Sequence, residues 1–353
     1  MQNFAHSTCQ NPARGSWLVG MAKILILGGT QWLGRTIAQQ ALGEGHEVTC
    51  LARGTTGGFP DGATAIIADR DTDGAYDAAT GAWDLVVELT RKPAHAKAAV
   101  EALSPHAEHW VYVSSCSAYA LHSKPGAAEA AQLLAALDST AEYTDDQYGA
   151  AKAGCEWLTV ASRGNAVLLV RPGLIGGPGD PSGRTTYWPL RFAAGREPVL
   201  VPQDEDDARY VQIVDVRDLA AFILRAGLDG RHGPVNAVGA EMPLGDVIAS
   251  AQSAAAYTGE VAAYPLHRME DDTVEPWAGP RSLPLVLPAG SDFAGFARRS
   301  DRKALRWGLV RRPLAETFAD IIAADGGLQG ADGEGPRSGL SADHEAALIG
   351  QLA

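Results

Sequence analysis

The feature that most constrains this chain is an aliphatic run that stops at paired glycines and gives way to an amphipathic segment. The run Lys23–Leu27 is typical of a buried strand, and Gly28 and Gly29 follow it directly. Between Leu33 and Leu42 the apolar residues recur at helical spacing. This order predicts a strand, a tight turn and a helix whose N-terminus presents N–H groups and a positive partial charge at one point. We therefore predict a phosphate-binding turn that holds a dinucleotide.

The glycine spacing departs at one position from the usual dinucleotide pattern. Gln31 lies where a central glycine would allow the closest approach of the backbone to a pyrophosphate, while Gly34 keeps its position. A second apolar strand, Glu47–Leu51, follows after a short turn, as a βαβ unit requires. This context favours dinucleotide binding over an ordinary crossover with a glycine-rich turn. The residues predicted to surround the phosphates are Gly28, Thr30, Gln31, Trp32, Leu33 and Gly34.

Length and charge limit the possible function classes. The 353 residues are enough for one large α/β domain with an appended lobe, or for two domains. The formal net charge of −13 repels polyanions, which argues against nucleic acid or an anionic membrane as a partner. The four cysteines lack zinc-site spacing, and no apolar run approaches the roughly 20 residues of a membrane span. We expect a cytoplasmic protein with a small-molecule substrate, no metal, and a loose extension over residues 1–20.

Further apolar runs are separated by enough chain for crossover helices. They occur at 63–71, 83–90, 110–115 and 166–170. Nearly continuous apolar strands are typical of a parallel sheet that is covered on both faces. The sequence therefore predicts an α/β protein with a doubly wound parallel-sheet Rossmann fold and a smaller C-terminal substrate-binding lobe. Ligands of such a fold lie at the carboxyl ends of the strands.

The later part of the chain is less regular. The Gly/Pro-rich stretch 171–180 predicts an irregular loop, and the acidic stretch 203–207 predicts an exposed loop. Helices are predicted at 94–103, 189–194, 215–226, 314–324 and 341–352. The expected organisation is a Rossmann domain at 21–176 to which segments such as 209–226 return, a substrate lobe at 177–324, and a linker with a terminal helix at 325–353.

Tyr148 and Lys152 form the candidate acid/base pair. They lie four residues apart in an alanine-rich segment that favours a helix, so their side chains share one face. A phenol, with an ordinary pKa near 10, is a poor base at neutral pH, and an adjacent ammonium group stabilises its anion. The lysine also has donors for a nicotinamide ribose. The alternative, an exposed helix face, is disfavoured because the pair follows the fifth predicted strand.

A serine-rich stretch ends that fifth strand. The hydroxyl of Ser115 is expected at the carboxyl edge of the sheet, where it would donate to a substrate carbonyl or alkoxide. Ser117 is a second candidate for substrate contact. Alternatively, Ser114 and Ser117 satisfy backbone groups in the turn.

Taken in order, these motifs resemble the extended short-chain dehydrogenases/reductases, in particular the NAD(P)-dependent epimerase/dehydratase group. The resemblance runs from Met21 to about Ala324. The matching segments are Gly28–Gly34, Val113–Tyr119, Tyr148–Lys152, Arg171–Pro178, Val214–Ala220, Asp301–Leu309 and Arg312–Thr317.

The resemblance implies a role for each matched position. It implies that Tyr148 is the acid/base, that Lys152 is its pKa partner and ribose ligand, and that Ser115 donates to the substrate. Members of the family often pair through a four-helix interface, so a homodimer is an expectation. The further cofactor contacts that the resemblance implies come from Asp69 with the adjoining Arg70, from Leu89 and Thr90, and from Pro172 and Leu174.

The end of the second strand bears on the choice of cofactor. In NAD-preferring sites an acidic residue there accepts hydrogen bonds from the ribose 2′-hydroxyl. In this chain the residue at the end of the second strand is Ala52, and Arg53 follows it. An arginine pairs with a 2′-phosphate, so the sequence predicts a preference for NADP over NAD. The alternative is a solvated loop arginine.

The lobe contains one stretch with a possible substrate role. Arg184 is followed by Tyr187 and Trp188, a combination that suits a clamp on a phosphorylated or planar substrate. Core packing of Trp188 is the alternative. The histidines His95, His106, His109 and His122 follow no metal-ligand spacing.

Three functions remain after these observations. The first is an oxidoreductase that moves hydride between NADP(H) and a small carbonyl or alcohol. The second is a nucleotide-sugar epimerase or dehydratase, in which the cofactor is reduced and reoxidised within one turnover. The third is a non-catalytic dinucleotide-binding or sensor protein, which has no need of Ser115, Tyr148 and Lys152 together.

Overall fold

A seven-stranded parallel sheet forms the centre of the fold. The computed structural model describes residues 20–55, 57–164, 166–204, 209–288, 290–325 and 337–352. The strands in chain order are β1 (Lys23–Leu27), β2 (Glu47–Ala52), β3 (Thr64–Ile67), β4 (Trp83–Glu88), β5 (Ala107–Val113), β6 (Val167–Pro172), β7 (Leu174–Gly176), β8 (Val199–Gln203), β9 (Tyr210–Val211), β10 (Ile213–Asp215), β11 (Gly233–Ala237), β12 (Met242–Pro243), β13 (Val261–Pro265), β14 (Glu275–Trp277) and β15 (Ser282–Pro284). The helices are α1 (Trp32–Gly43), α2 (Pro93–Leu103), α3 (Tyr148–Arg163), α4 (Tyr187–Ala193), α5 (Val216–Leu228), α6 (Leu244–Ala254), α7 (Arg302–Arg306), α8 (Leu314–Asp325) and α9 (Ala342–Leu352).

The strand order places a switch point beside β1. Across the sheet the strands run β11-β6-β5-β4-β1-β2-β3, and every neighbouring pair is parallel. From β1 the chain adds β2 and β3 on one side and then crosses to β4 on the other. Leu27, which ends β1, lies opposite Leu51 of β2 and Glu88 of β4. The predicted doubly wound Rossmann fold is therefore confirmed, and the crevice at the end of β1 is the place where such sheets bind ligands.

Both faces of the sheet are covered because successive side chains of β1 point to opposite sides. Ile24 and Ile26 pack against α1 and α5 on one face. Leu25 and Leu27 pack with residues of α2 and α3 on the other. All four side chains are buried, which explains why the strand is apolar at every position after Lys23.

The lobe has a separate apolar core. Helices α4, α6, α8 and α9 contribute to it, together with strands β8 and β13, which pair in parallel. Trp188 of α4, Phe318 of α8 and Leu348 of α9 are buried there.

The stretch 171–180 is more ordered than predicted. Strand β6 runs through Pro172, and β7 then pairs in parallel with β10, with Ile175 opposite Val214. The prediction of an irregular loop over the whole stretch is therefore wrong in its first half. The pairing strand lies almost forty residues later in the chain, so no local pattern indicates it.

The C-terminal segment belongs to the lobe core. Glu345 of α9 is buried, and its carboxylate accepts from Arg191 Nε at 2.6 Å and from the Leu200 backbone N–H at 2.9 Å. Ser338, which was predicted to lie in a linker, is also buried and donates to the Ser182 carbonyl at 2.8 Å. Most of the predicted linker, residues 326–336, lies outside the described residues, as do residues 1–19.

The acidic stretch that was predicted as an exposed loop is described only in part. Gln203 ends β8, and the half-buried Asp204 pairs with Arg209. Residues 205–208 lie outside the described part. Among the residues that are described, no helix is long and apolar enough to cross a membrane.

Candidate active site

A cleft of about 1290 Å³ opens at the carboxyl edge of the sheet, between the strand ends and the lobe. It is lined by every residue that the sequence predicts for the site, with the exception of Tyr187 and Trp188. One cleft therefore brings together the glycine turn, the serine turn after β5 and the Tyr148–Lys152 pair.

The turn after β1 is built from glycines because side chains would collide there. Gly28 has a φ of +107°, a conformation that favours glycine. A Cβ atom on Gly34 would lie 2.3 Å from the Gly28 carbonyl oxygen, and one on Gly29 would lie 2.4 Å from the Cys50 Sγ. The close contact between Gly34 and Gly28 sets the first turn of α1 directly against the end of β1.

Gln31 takes the place of the central glycine without strain. Its backbone has φ −82° and ψ 157°, which any residue adopts, and its carbonyl accepts from the Arg35 N–H at 2.7 Å as the N-cap of α1. The first N–H groups of α1 have no acceptor within the helix, as at any helix start. The turn therefore fits a phosphate group, and the Gln31 side chain is exposed beside it at the cleft.

Trp32 ties this turn to the lobe side of the cleft. Its indole Nε1 donates to the Pro178 carbonyl at 2.9 Å, across 146 residues of sequence. The tryptophan thus connects the glycine turn to the Gly/Pro-rich stretch, a contact that its place in the glycine motif does not reveal.

Lys152 is buried and held by backbone carbonyls. Its Nζ donates to the carbonyl oxygens of Val113 and Thr90, each at 2.8 Å, and to that of Leu89 at 3.5 Å. The same atom lies 5.9 Å from the ring centroid of Tyr148. Because the Leu89 bond is long, it is the one that a ribose hydroxyl would most easily replace. The ends of β4 and β5 thus fix the ammonium group beside the phenol.

A glycine brings Tyr148 next to the serine turn. Tyr148 is the first residue of α3 and is half-buried at the cleft. Gly149 follows it, and a Cβ atom there would lie 2.3 Å from the Ser117 carbonyl oxygen. The absence of that atom lets the start of α3 pack directly on the turn after β5.

The hydroxyl of Ser115 has a proton left to donate. Its Oγ accepts from the Ser117 N–H at 3.0 Å, and the residue is buried where it lines the cleft. A serine hydroxyl that accepts one bond can still donate another. The Ser114 N–H donates to the Val170 carbonyl at 2.7 Å, and the Ser114 Oγ has no partner among the described residues. Ser117 lines the same cleft.

The thiol beside Ser115 is not an alternative nucleophile. Burial raises the pKa of Cys116 to about 12, so the group is protonated at neutral pH. Its Sγ lies 3.4 Å from the Arg171 carbonyl oxygen, to which it donates. Cys116 therefore fills space behind the serine turn.

The two arginines predicted at the adenine end differ in their surroundings. Arg53 is exposed at the cleft and makes no ion pair with any described residue. The guanidinium of Arg70, by contrast, donates to Glu88 Oε1 at 2.9 Å and to the Tyr76 hydroxyl at 2.9 Å. Burial by itself lowers the pKa of Arg70, but the charge and hydrogen bonds of Glu88 and Tyr76 together raise it above its ordinary value, so the guanidinium stays charged. Arg70 thus forms part of the cleft wall, whereas Arg53 is exposed in the cleft.

Glu88 is a buried carboxylate behind the cleft that the sequence did not indicate. Its Oε1 also accepts from the Thr90 N–H at 2.8 Å, and the Thr90 carbonyl in turn holds Lys152. The Arg70–Glu88 pair thereby connects the adenine end of the cleft with the lysine. Asp69, the other predicted residue here, is exposed and accepts from the Asp71 N–H at 3.1 Å.

A buried ion pair supports the site from behind. Glu156, one turn after Lys152 on α3, accepts from Arg171 Nε at 2.8 Å and from its Nη2 at 2.6 Å. The Nη1 of Arg171 donates to the Tyr119 hydroxyl at 3.0 Å. The pair locks α3 to the end of β6, just before Pro172 and Leu174 enter the cleft. In the sequence, this ion pair is indicated only by a charged residue, Glu156, on the buried face of α3.

The lobe contributes Arg184 to the cleft but not the aromatics that follow it. Tyr187 and Trp188 are buried in the lobe core, and the Trp188 Nε1 donates to the Pro284 carbonyl at 2.8 Å. Core packing therefore replaces the expected substrate clamp. The aromatics that do line this side are Trp277 and Phe296, which no motif had indicated.

The histidines that were considered as metal ligands make other contacts. His95 Nε2 lies 2.6 Å from Asp71 Oδ1, His109 Nε2 lies 2.9 Å from the Arg231 carbonyl, and His122 Nδ1 lies 2.8 Å from Arg299 Nη2. In the described ranges, no group of three or more His, Cys, Asp or Glu residues could hold a metal ion.

Comparison with known proteins identifies a matching family and similar folds. Residues 24–239 match the model of the NAD dependent epimerase/dehydratase family. Among solved structures, the UDP-N-acetylglucosamine 4-epimerase of Bacillus cereus is 15% identical with a TM-score of 0.64, and the match covers 86% of this chain and 98% of that one. The Bordetella bronchiseptica enzyme WbmH, solved with NAD+, is 18% identical with a TM-score of 0.61 and the same coverage. The UDP-glucose 4-epimerase of Thermus thermophilus, solved with NAD, is 19% identical with a TM-score of 0.56 and again the same coverage. No curated protein matches the chain.

Proposed function

This chain belongs to the NAD dependent epimerase/dehydratase family, and from that premise we propose that it is an NAD(P)-dependent oxidoreductase acting on a small carbonyl or alcohol. The observation that carries the proposal is the convergence of Ser115, Tyr148 and Lys152 on the cleft that contains the glycine turn. When bound, the cofactor would supply the hydride transfer at its nicotinamide ring. The turn between Gly28 and Gly34 would hold the phosphates, because the first N–H groups of α1 are free of helical acceptors there.

The side chains then divide the proton chemistry. In the reducing direction the Ser115 hydroxyl donates a hydrogen bond to the substrate carbonyl oxygen, and Tyr148 gives that oxygen its phenolic proton. The ammonium of Lys152 stabilises the resulting phenolate, at a place fixed by the carbonyls of Val113 and Thr90. In the oxidising direction the same groups act in reverse.

The experiment that tests this function is a comparison of cofactor and substrate stoichiometry. We expect net consumption of one NADPH for each carbonyl reduced, and an exchangeable cofactor. A cofactor that stays bound through purification and shows no net turnover would favour the second candidate, a nucleotide-sugar epimerase or dehydratase.

That second candidate is favoured by the similar structures. Two of the three compared above carry the names of UDP-sugar 4-epimerases, and one of these was solved with NAD. A third candidate, a non-catalytic dinucleotide sensor, is disfavoured by the presence of the serine, the tyrosine and the lysine in one cleft.

We further propose that NADP is preferred over NAD, on the basis of Arg53. This cation is exposed at the end of β2 and makes no ion pair with a described residue. Replacing Arg53 by glutamine is expected to lower kcat/KM for NADPH about tenfold to hundredfold and to leave NADH nearly unchanged, because a charge-assisted pair with the 2′-phosphate is lost. Steady-state kinetics with both cofactors measure this.

A matched control is Lys23→Gln, which removes an exposed cation at the opposite end of the sheet. It should change neither cofactor preference nor rate. A wild-type protein that prefers NADH would contradict the proposal.

A homodimer is proposed from the family resemblance and from one exposed face of α3. Trp157 is 65% exposed and Val160 is 40% exposed on this helix, which packs against α2. Large apolar side chains in such a position suit a helix–helix interface between two copies. Replacing Trp157 by lysine is expected to shift the protein from dimer to monomer in light scattering coupled to size-exclusion chromatography.

The control is Val310→Lys, which changes an apolar residue that is 70% exposed between α7 and α8. It should leave the molecular mass as in wild type. A monomeric wild type would refute the proposed dimer, and so would a Trp157 variant that stays dimeric.

A further inference from the structure

An aromatic wall bounds the lobe side of the cleft. The rings of Trp277 and Phe296 meet edge to face with centroids 5.4 Å apart, and His122 packs on the far side of Phe296 at 4.9 Å. Trp277 and Phe296 both line the cleft and are half-buried. Such a wall offers apolar contact surface to the flat body of a substrate.

Arg184 is the cation beside this wall. Its guanidinium lies over the Trp277 ring, 5.1 Å from the centroid, and its Nε donates to the Ser182 hydroxyl at 3.0 Å. It forms no ion pair with a carboxylate among the described residues. Burial lowers the pKa of Arg184, while Asp180 and the Tyr148 phenol act in the opposite direction. Arg184 and the acid/base residue line the same cleft.

The neighbouring cations on the lobe are already neutralised. A second cavity of about 340 Å³ is lined by Arg209 and Arg298. Arg209 pairs with Asp204, and Arg298 pairs with Glu241 at 2.8 Å while lying over the Tyr210 ring. Of the described residues on the lobe side of the main cleft, Arg184 is the one cation. One available guanidinium matches a single anionic group and not the two phosphates of a nucleoside diphosphate.

We propose that the substrate is a carbonyl or alcohol compound with a flat apolar body and one carboxylate, which Arg184 binds while Trp277 and Phe296 contact the body. This assignment rests on the proposed oxidoreductase function and narrows its substrate class. The planar fork of a guanidinium suits a carboxylate, and Arg184 lines the same cleft as Tyr148, Trp277 and Phe296.

The test measures binding and does not require turnover. NADP+-loaded protein is titrated by calorimetry with terephthalaldehydic acid and with its methyl ester, two flat aldehydes that differ by one charge. We expect the acid to bind at least about tenfold more tightly than the ester, because a hydrogen bond between charged groups is lost in the ester. UDP-glucose should bind more weakly than the acid.

Variants show which side chains cause the difference in affinity between the acid and the ester. Arg184→Gln should bring the acid down to the affinity of the ester and leave the ester unchanged, while Arg184→Lys should retain part of the difference. Trp277→Leu should weaken both probes by a similar factor. Arg298→Gln, in the second cavity, is the control and should alter neither. Circular dichroism checks that each variant is folded.

Equal binding of acid and ester by wild type would overturn the inference, as would tighter binding of UDP-glucose. These outcomes are distinct from a failure of the proposed function. If Tyr148→Phe keeps full turnover, the acid/base assignment fails while the ratio of acid to ester affinity stands. If turnover needs Tyr148 but the two probes bind alike, the oxidoreductase function stands and the assignment of Arg184 is wrong.

Discussion

Replacing Tyr148 by phenylalanine is expected to lower kcat by about 10²- to 10⁴-fold, the range that a positioned general acid or base contributes. The change removes the phenolic oxygen and keeps the ring, so the start of α3 should pack as before against the serine turn. The dissociation constant for the cofactor should change by less than about threefold, because the glycine turn and Lys152 hold their places without the hydroxyl. Single-turnover kinetics and titration of cofactor fluorescence measure the two quantities separately.

Tyr143 provides the matched control. It also lines the cleft, and its hydroxyl donates to Asp145 Oδ1 at 3.0 Å, just before α3 begins. Tyr143→Phe removes the same atom from the same cleft and should leave kcat within a fewfold of wild type. If both variants lost activity equally, or if Tyr148→Phe stayed active, Tyr148 would not be the acid/base.

Replacing Glu156 by alanine is expected to lower the free energy of unfolding by about 3–5 kcal/mol, as when one partner of a buried ion pair is removed. The side chains of Glu156 and Arg171 are each 4% exposed. Without the carboxylate, the Arg171 guanidinium would stay buried with only the Tyr119 hydroxyl and the Glu129 carbonyl as acceptors. Urea unfolding followed by far-ultraviolet circular dichroism measures the loss.

Two further variants show how much of the lost stability comes from leaving a buried charge unpaired and how much comes from lost packing. Glu47→Ala breaks the ion pair between Glu47 and Lys23, in which the two side chains are 50% and 58% exposed. It should lower the free energy of unfolding by at most about 1 kcal/mol. The double variant Glu156→Leu with Arg171→Met should recover part of the stability, because no unpaired charge remains. A Glu156→Ala protein as stable as Glu47→Ala would show that the pair does not hold α3 to the sheet.

The elements that the sequence predicted well depend on local patterns. The turn from Gly28 to Gly34 follows from a strand, a glycine pair and a helix within a dozen residues, and the structure shows the steric reason for the glycines. The parallel sheet follows in the same way, because its central strands β1, β4 and β6 are largely apolar on both faces. Tyr148 and Lys152 share a helix face by their spacing alone.

The prediction was weaker where a residue has two possible environments. Arg70 and Arg53 are both cations that follow strands, yet only Arg70 has a buried carboxylate within reach. An aromatic pair such as Tyr187 and Trp188 suits either contact with a ligand or packing in a core. The packing of α4 against α6 and α8 places this pair in the lobe core. Sequence spacing does not distinguish these cases, because the partner residues come from distant segments.

By itself, the sequence determined the order of β1 to β6 and of α1 to α3, the glycine turn and the helix face that Tyr148 and Lys152 share, because each arises from backbone sterics and periodicity within one short segment. Only the tertiary structure decided which cations are neutralised, which aromatics meet the cleft and what α9 contributes, for example through the contact of Arg191 with Glu345 across 154 residues. The physical reason is that the charge and burial of a side chain depend on neighbours brought by chain crossovers. The glycine turn therefore located the cleft in the sequence, whereas the folded lobe determines which substrate groups fit on the other side of that cleft.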